Sequence, residues 1–145
     1  MEDSAIDRVT AVRLLERANE ARGNAYAPYS GFRVGAAVLD TDGRIHTGVN
    51  VENASYGLST CAERSAVARA IGEGARGLKA VAIAGPGDGI ATMPCGSCRQ
   101  ILHEFGSDLT VVVAGAHGDP RRIPIGDLLP EAFDSRRLRD ESEGS

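Results

Sequence analysis

The sequence predicts an α/β fold, because segments with helical spacing of apolar residues alternate along the chain with short apolar segments typical of β-strands. A valine run within Leu109 to Ala114 is typical of a strand that is covered on both faces of its sheet. Glycine-rich and polar turns separate these segments. The expected architecture is therefore a sheet with helices packed on its faces.

The first half of the chain has the patterns of two helices and a hairpin. Apolar residues at helical spacing indicate the helices, and an Asp-Gly pair is a strong signal for the hairpin turn. In order, the predicted elements are a helix through Ala11, Leu14, Leu15 and Ala18 that ends near Gly23, a strand over 32–39, a turn at Asp42-Gly43, a strand over 44–50, a loop over 51–60 and a helix from near Cys61 to Gly72 or Gly74.

The second half repeats the alternation with shorter segments. Glycine and proline at 85–89 mark the loop that follows its first strand. In order, the predicted elements are a strand over 78–84, a helix over 95–105, a strand over 109–114, a short strand that includes Ile123 and Ile125, and a short helix over 127–133. We expect one domain over residues 1–135, followed by a charged, mobile tail over 136–145.

Composition and charge narrow the class of protein. The chain has 145 residues, a net charge of −4 and 42% hydrophobic residues, as in an ordinary globular domain. An acidic balance argues against a groove for DNA or RNA, and no apolar run is long enough to span a bilayer. The acidic start, Met1-Glu2-Asp3-Ser4, lacks the order of a signal peptide. The odd, clustered cysteines favour a reducing, cytoplasmic compartment over a disulfide framework.

All three cysteines lie in two short motifs at predicted helix starts, Cys61-Ala62-Glu63 and Pro94-Cys95-Gly96-Ser97-Cys98. Cys95 and Cys98 face the same way within one helical turn. Three thiolates leave one position open on a tetrahedral zinc ion, as catalytic sites do. Glu63 can then act as a proton shuttle, which is the pattern of zinc-dependent base deaminases. Arg64 can hydrogen-bond the ligand sulfurs and offset their charge.

Other interpretations of these motifs stay open from the residues alone. A Cys-x-x-Cys pair also occurs in redox sites and in structural zinc knuckles. A structural site would need a fourth ligand, but His46, His103 and His117 do not stand at knuckle-like spacing from a cysteine, and we interpret them as structural or solvated. A redox pair would leave Cys61 and Glu63 without a role. A catalytic zinc site accounts for all of these residues.

The segment before the first motif, Asn50 to Gly57, has side chains suited to a sugar. Asn50 and Glu52 carry oxygen acceptors for hydroxyl groups, and strand alternation can place both on one side. An alternative is a turn, rich in Asn and Ser, that closes the strand.

These motifs together resemble the cytidine deaminases of the small type with three cysteine ligands. The resemblance covers nearly the whole chain except its ends, and it is carried by 26–37, 50–57, Cys61-Ala62-Glu63-Arg64, 94–100 and Leu128-Leu129-Pro130-Glu131-Ala132-Phe133. It implies a three-layer α/β/α sandwich around a five-stranded mixed sheet. It also implies hydrolytic deamination of cytidine and deoxycytidine in pyrimidine salvage, with one zinc ion per chain.

The resemblance also assigns roles to individual residues. Cys61, Cys95 and Cys98 would bind zinc, with Glu63 as the shuttle. The others would contact substrate: Asn50 and Glu52 the ribose, Phe32 the pyrimidine, and the Ala62 amide its carbonyl group. The family implies a homotetramer with shared active sites, to which Phe133 would contribute a ring that stacks near a neighbour's base. Packing of a last helix in the core is the alternative for Phe133.

Four rival functions are considered at this point. A deaminase of the free base would not need Asn50 and Glu52 as sugar contacts. A deaminase of another cytosine nucleoside, such as blasticidin S, resembles the chain around the zinc motifs. A polynucleotide deaminase would be expected to carry a histidine ligand and a basic surface, which this chain lacks. A zinc-stabilised interaction module without catalytic activity would have no use for Glu63.

Overall fold

The computed structural model describes residues 6–138, which form four α-helices and five strands. Three short 3₁₀ turns add to these, at Tyr56–Leu58, Ala116–Gly118 and Ser135–Leu138. In chain order, the main elements are α1 (Arg8–Arg22), β1 (Gly35–Asp40), β2 (Ile45–Val49), α2 (Ala62–Gly72), β3 (Leu78–Ala84), α3 (Gly96–Phe105), β4 (Thr110–Val113), β5 (Arg121–Pro124) and α4 (Ile125–Leu128).

The five strands form one mixed sheet in the order β2-β1-β3-β4-β5. Strands β3 and β4 are parallel and are joined through α3, whereas the other neighbouring pairs are antiparallel. Gly43 has a φ of +87° in the hairpin turn between β1 and β2, a conformation that favours glycine. The predicted α/β class, mixed sheet and hairpin are confirmed.

The sheet separates two apolar clusters, which makes the domain a three-layer α/β/α sandwich. Side chains alternate across β1, so that Ala36 and Val38 join the cluster with α2 and α3. Ala37 and Leu39 face the opposite way and join the cluster with α1. All four residues of β4 are buried, as the valine run predicted for a strand covered on both faces.

Two glycines allow the helices to approach the sheet closely. A Cβ atom built at Gly35 would lie 2.0 Å from the carbonyl oxygen of Ala18 in α1. A Cβ atom at Gly48 would lie 2.3 Å from the backbone nitrogen of Ala66 in α2. Such distances are far inside van der Waals contact, so both positions require glycine. The packing at Gly48 fixes the distance between β2 and the helix that begins at Cys61.

Three predicted elements differ from the structure by more than one residue at an end. The first strand begins at Gly35 rather than at residue 32, because Asn50, which follows β2, bonds Phe32 and Val34 largely through its side chain and not as part of a regular strand ladder. Ile125 starts α4 instead of belonging to the last strand. The helix predicted over 127–133 is wrong: α4 ends at Leu128, because Pro130 disfavours helical backbone at Leu129, whose φ is −148°.

Two further expectations concern the C-terminal tail and membrane-spanning segments. Of the tail expected over 136–145, residues 136–138 belong to the last 3₁₀ turn and residues 139–145 lie outside the described part. Within residues 6–138, no helix has the length and apolar character needed to cross a membrane.

Candidate active site

The two cysteine motifs occupy the N-termini of α2 and α3, which pack on the same face of the sheet. Cys61 is the N-cap residue of α2, and Cys95 is the N-cap residue of α3. Cys98 lies in the first turn of α3 and is fully buried. The backbone N–H groups of a first helical turn have no partners within the helix, and the helix dipole is positive there. Both effects stabilise thiolates at these positions.

The three sulfur atoms converge on one point. The Sγ atoms of Cys61 and Cys95 are 4.0 Å apart, and the Sγ atoms of all three cysteines lie within 4.8 Å of one another. Tetrahedral zinc with Zn–S bonds of about 2.3 Å separates its sulfur ligands by about 3.8 Å. The cluster therefore has the size of a zinc site, and it supplies three ligands.

The electrostatics of the cluster also fit a cation. Burial raises the pKa of the Cys61 thiol, and burial beside the Glu63 carboxylate raises that of Cys98. Burial acts in the same direction on Cys95, but hydrogen bonding from Cys98 leaves the pKa of that thiol below its ordinary value. Three thiolates and a carboxylate cannot all be charged in so small a volume without a compensating ion. A divalent metal removes this conflict and deprotonates the thiols.

Glu63 lies in the first turn of α2, two residues after Cys61, and its side chain is only 5% exposed. Burial raises the pKa of its carboxyl group above the ordinary value. Acidic side chains are almost never buried without a partner, and Glu63 is buried beside three cysteines. This position allows Glu63 to accept and release a proton next to the three cysteines.

Asn50 and Glu52 both bond the loop that precedes β1. Asn50 accepts a hydrogen bond from the N–H of Val34 at 2.9 Å and donates one to the carbonyl of Phe32 at 2.8 Å. The Oε1 atom of Glu52 accepts from the N–H groups of Tyr29 and Ser30, at 2.9 and 3.1 Å. Both predicted sugar contacts are therefore fixed in orientation by the protein backbone.

The remaining predicted residues occupy different environments. Phe32 is 45% exposed at the end of the same loop. Ala62 is the first residue of α2, where its N–H has no partner within the helix. Arg64 follows Glu63 on the exposed side of α2. Phe133 lies outside any helix and is 57% exposed, so it does not pack in the core as part of a last helix.

Three polar residues that sequence reasoning left without a role connect parts of this region. The Ser30 hydroxyl donates to Glu52 and accepts from the N–H of Phe32. Arg99 donates to the carbonyls of Pro94 and Leu128, at 2.8 and 3.0 Å. Gln100 donates to the carbonyl of Phe133 at 2.8 Å. Their place in the motifs was the only sequence signal, because the bonds of Ser30 to Glu52, Arg99 to Leu128 and Gln100 to Phe133 join segments 22 to 33 positions apart.

The fold and the site together define a zinc-binding α/β domain with an open ligand position and a buried acid beside it. The sequence-family model for the cytidine and deoxycytidylate deaminase zinc-binding region matches residues 9–114 of this chain. The chain belongs to this family of zinc-dependent hydrolases.

Curated and solved relatives agree with this assignment over most of their length. The cytidine deaminase of Halalkalibacterium halodurans is 43% identical over 128 residues, which are 88% of this chain and 96% of that protein. The crystal structure of cytidine deaminase from Burkholderia pseudomallei has a TM-score of 0.77 and 49% identity, covering 83% of this chain and 97% of that one. The Mycobacterium tuberculosis cytidine deaminase structure has a TM-score of 0.72 and 48% identity, with coverage of 83% and 94%.

Proposed function

We propose that this chain catalyses the hydrolytic deamination of cytidine and deoxycytidine to uridine and deoxyuridine. The observation that carries the proposal is the buried Glu63 carboxyl group beside three convergent cysteines. The family supports it, because two relatives named cytidine deaminases match 88% and 83% of this chain and 96% and 86% of their own length. A structural zinc site has no need of a buried acid, which disfavours the interaction module.

Cys61, Cys95 and Cys98 would hold the zinc ion. When bound in such a site, zinc supplies Lewis acidity that makes a water molecule a better nucleophile near neutral pH. The negative charge of three thiolates would weaken this effect. The helix N-termini would offset part of that charge, and a guanidinium turned from Arg64 toward the sulfurs would add to this offset.

Glu63 moves the protons of the reaction. Its carboxylate takes one proton from the attacking water and gives it to N3 of the ring, which makes C4 electrophilic. After the oxygen has added to C4, Glu63 takes the second proton and gives it to the amino group, and ammonia leaves as the C4 carbonyl forms. Each transfer restores the carboxylate, so one residue serves as base and acid in turn.

The substrate residues follow from the family and from their positions. Asn50 and Glu52 would bind the ribose, Phe32 would pack against the pyrimidine, and the Ala62 N–H would bind the ring carbonyl. A carboxylate accepts about four hydrogen bonds, and Glu52 already accepts from Tyr29, Ser30 and the Ser30 hydroxyl. One acceptor position therefore remains for a sugar hydroxyl.

Assembly and cellular role complete the proposal. The protein would act in the cytoplasm, in pyrimidine salvage, as a homotetramer whose subunits share active sites. The exposed ring of Phe133 supports this arrangement, because an exposed aromatic side chain on an ordered loop is available to a neighbouring subunit.

A substrate panel tests the proposal. The zinc-loaded protein is assayed for ammonia release and loss of cytosine absorbance with cytidine, deoxycytidine, free cytosine and blasticidin S. We expect conversion of both ordinary nucleosides and little conversion of free cytosine, because free cytosine lacks the sugar that Asn50 and Glu52 would bind. Turnover of blasticidin S alone would replace the proposed substrate. No turnover by protein with one zinc ion per chain would favour a non-catalytic module.

A further inference from the structure

The hydroxyl group of Ser30 bonds two residues that would contact opposite ends of a nucleoside. It donates a hydrogen bond to the Oε2 atom of Glu52, and its oxygen accepts the N–H of Phe32 at 2.9 Å. Glu52 would bind the sugar and Phe32 the base. A single side chain therefore connects the two binding elements.

The backbone around Ser30 is arranged for this contact. Gly31 has a φ of +70°, and its N–H donates to the carbonyl of Ala27 at 2.9 Å, which closes a tight turn. The turn directs the N–H groups of Tyr29 and Ser30 at the Oε1 atom of Glu52. The Ser30 hydroxyl takes the other carboxylate oxygen, so both oxygens of Glu52 are held by one turn.

Phe32 is held from its other side as well. Its carbonyl accepts a hydrogen bond from the Asn50 side chain at 2.8 Å, while its N–H is bound by Ser30. The Phe32 backbone thus has one hydrogen-bond partner in the turn, Ser30, and one directly after β2, Asn50. Loss of the Ser30 hydroxyl would leave the N–H of Phe32 and one oxygen of Glu52 without these partners.

We propose that Ser30 is a positioning residue for nucleoside binding, acting through Glu52 and Phe32 rather than by contact with the reacting atoms. This proposal rests on the proposed function, because it takes Glu52 and Phe32 as substrate contacts. It places Ser30 outside the proton-transfer machinery, since its hydroxyl bonds neither Glu63 nor a cysteine within the described residues. The hydrogen bonds of Ser30 also lower the pKa of Glu52, which keeps that carboxylate charged as an acceptor.

A steady-state comparison of Ser30→Ala with the wild type tests the proposal. We expect the KM for cytidine to rise about tenfold, the effect of losing a hydrogen bond that contributes about 1.4 kcal/mol, with kcat changed less than about threefold. Ser30→Thr retains a hydroxyl and should keep KM within about threefold of the wild-type value. Ser59→Ala is the matched control, because among residues 6–138 the Ser59 hydroxyl bonds only the N–H of Asn53, in the neighbouring loop. The KM of this variant should match that of the wild type.

A double-mutant comparison separates positioning from general loosening of the loop. If Ser30 acts largely through Glu52, Ser30→Ala should raise KM much less in a Glu52→Gln background than in the wild type. Equal effects in the two backgrounds, an unchanged KM in Ser30→Ala, or an equal fall in kcat would overturn the proposal while leaving the deaminase function intact. A wild-type protein that does not deaminate cytidine would instead overturn the proposed function, and the role of Ser30 with it.

Discussion

The Sγ atoms of Cys61 and Cys95 lie 4.0 Å apart, although 34 positions separate the two residues in the sequence. Each is the N-cap residue of a helix, and the two helices pack against the same face of the sheet. The site is thus made where two helix starts meet, and it depends on how the sheet positions both helices.

Removal of one sulfur should remove the metal. Cys98→Ser replaces the fully buried ligand with a poor zinc donor, so zinc content should fall from about one ion per chain to less than about a tenth, and turnover should fall with it. Metal analysis after dialysis measures this loss. Ser97→Ala, at an exposed position between the two ligands of α3, is the control and should keep its zinc. Full zinc content in Cys98→Ser would show that the ion binds elsewhere.

A buried ionic cluster at the hairpin end of the sheet should govern acid stability. Asp40 and His46 are 1% and 4% exposed, and the Nε2 atom of His46 lies 2.8 Å from the Oδ2 atom of Asp40. The Nδ1 atom of His46 lies 2.5 Å from Glu73, and Arg44 also bonds Asp40. Asp40→Asn should lower the free energy of unfolding by about 3 kcal/mol, because it breaks a buried pair. The exposed Asp42→Asn control should change it by less than about 0.5 kcal/mol.

The same cluster predicts a pH dependence with a definite sign. Burial opposes the charge of Asp40, but hydrogen bonds from His46 and from the Arg44 and Asp42 backbone outweigh it and lower the pKa of Asp40 to about 2. A carboxyl whose pKa is lower in the folded state contributes stability that is present above about pH 4 and lost between about pH 4 and pH 2. Denaturant titrations across this range should show a smaller loss in Asp40→Asn than in the wild type. Parallel losses in the two proteins would contradict this role.

Gly48 should be sensitive to a single added methyl group. Its Cβ atom would meet the backbone of Ala66 at 2.3 Å, and backbone cannot move aside without shifting α2. Gly48→Ala should therefore cost about 1–3 kcal/mol of stability and reduce turnover by moving Cys61 and Glu63. Gly57→Ala serves as the control in thermal unfolding and in the assay, because in the described part of the chain its added Cβ has no heavy atom within 4 Å beyond its own sequence neighbours. Equal stability of the two variants would show that α2 tolerates the displacement.

Phe133 and Gln100 should act together on substrate affinity. Gln100 lies in the second turn of α3, and its side-chain amide donates a hydrogen bond to the Phe133 carbonyl at 2.8 Å. If the Phe133 ring stacks near a bound base, Phe133→Ala should raise KM about fivefold, the loss of about 1 kcal/mol of aromatic contact. Gln100→Ala should shift KM in the same direction by a smaller factor. Leu138→Ala, at another exposed apolar position, should leave KM unchanged.

The sequence predicted the local features of the site better than its long-range contacts. The starts of α2 and α3 at the cysteine motifs are confirmed, because helix caps and apolar spacing are local signals. The helix over 127–133 was wrong, because the preference of the residue before Pro130 outweighs an apolar pattern.

The contacts that the sequence could not predict join residues far apart. Ser30 meets Glu52 across 22 positions, and His46 meets Glu73 across 27. The histidines were interpreted as structural or solvated, and His46 is buried in an ionic cluster. Such pairs depend on the register of the sheet and on the docking of α2, which residue spacing does not encode.

The most direct test of a three-cysteine site that works through a buried carboxylate is the Glu63→Gln variant, measured for zinc content and cytidine turnover in the same preparation. Glutamine retains the size of the side chain but cannot exchange the protons. We predict one zinc ion per chain and a loss of turnover of at least about a hundredfold, while Glu20→Gln on the exposed face of α1 keeps both. Wild-type turnover in Glu63→Gln with zinc bound would contradict the proposed role of Glu63.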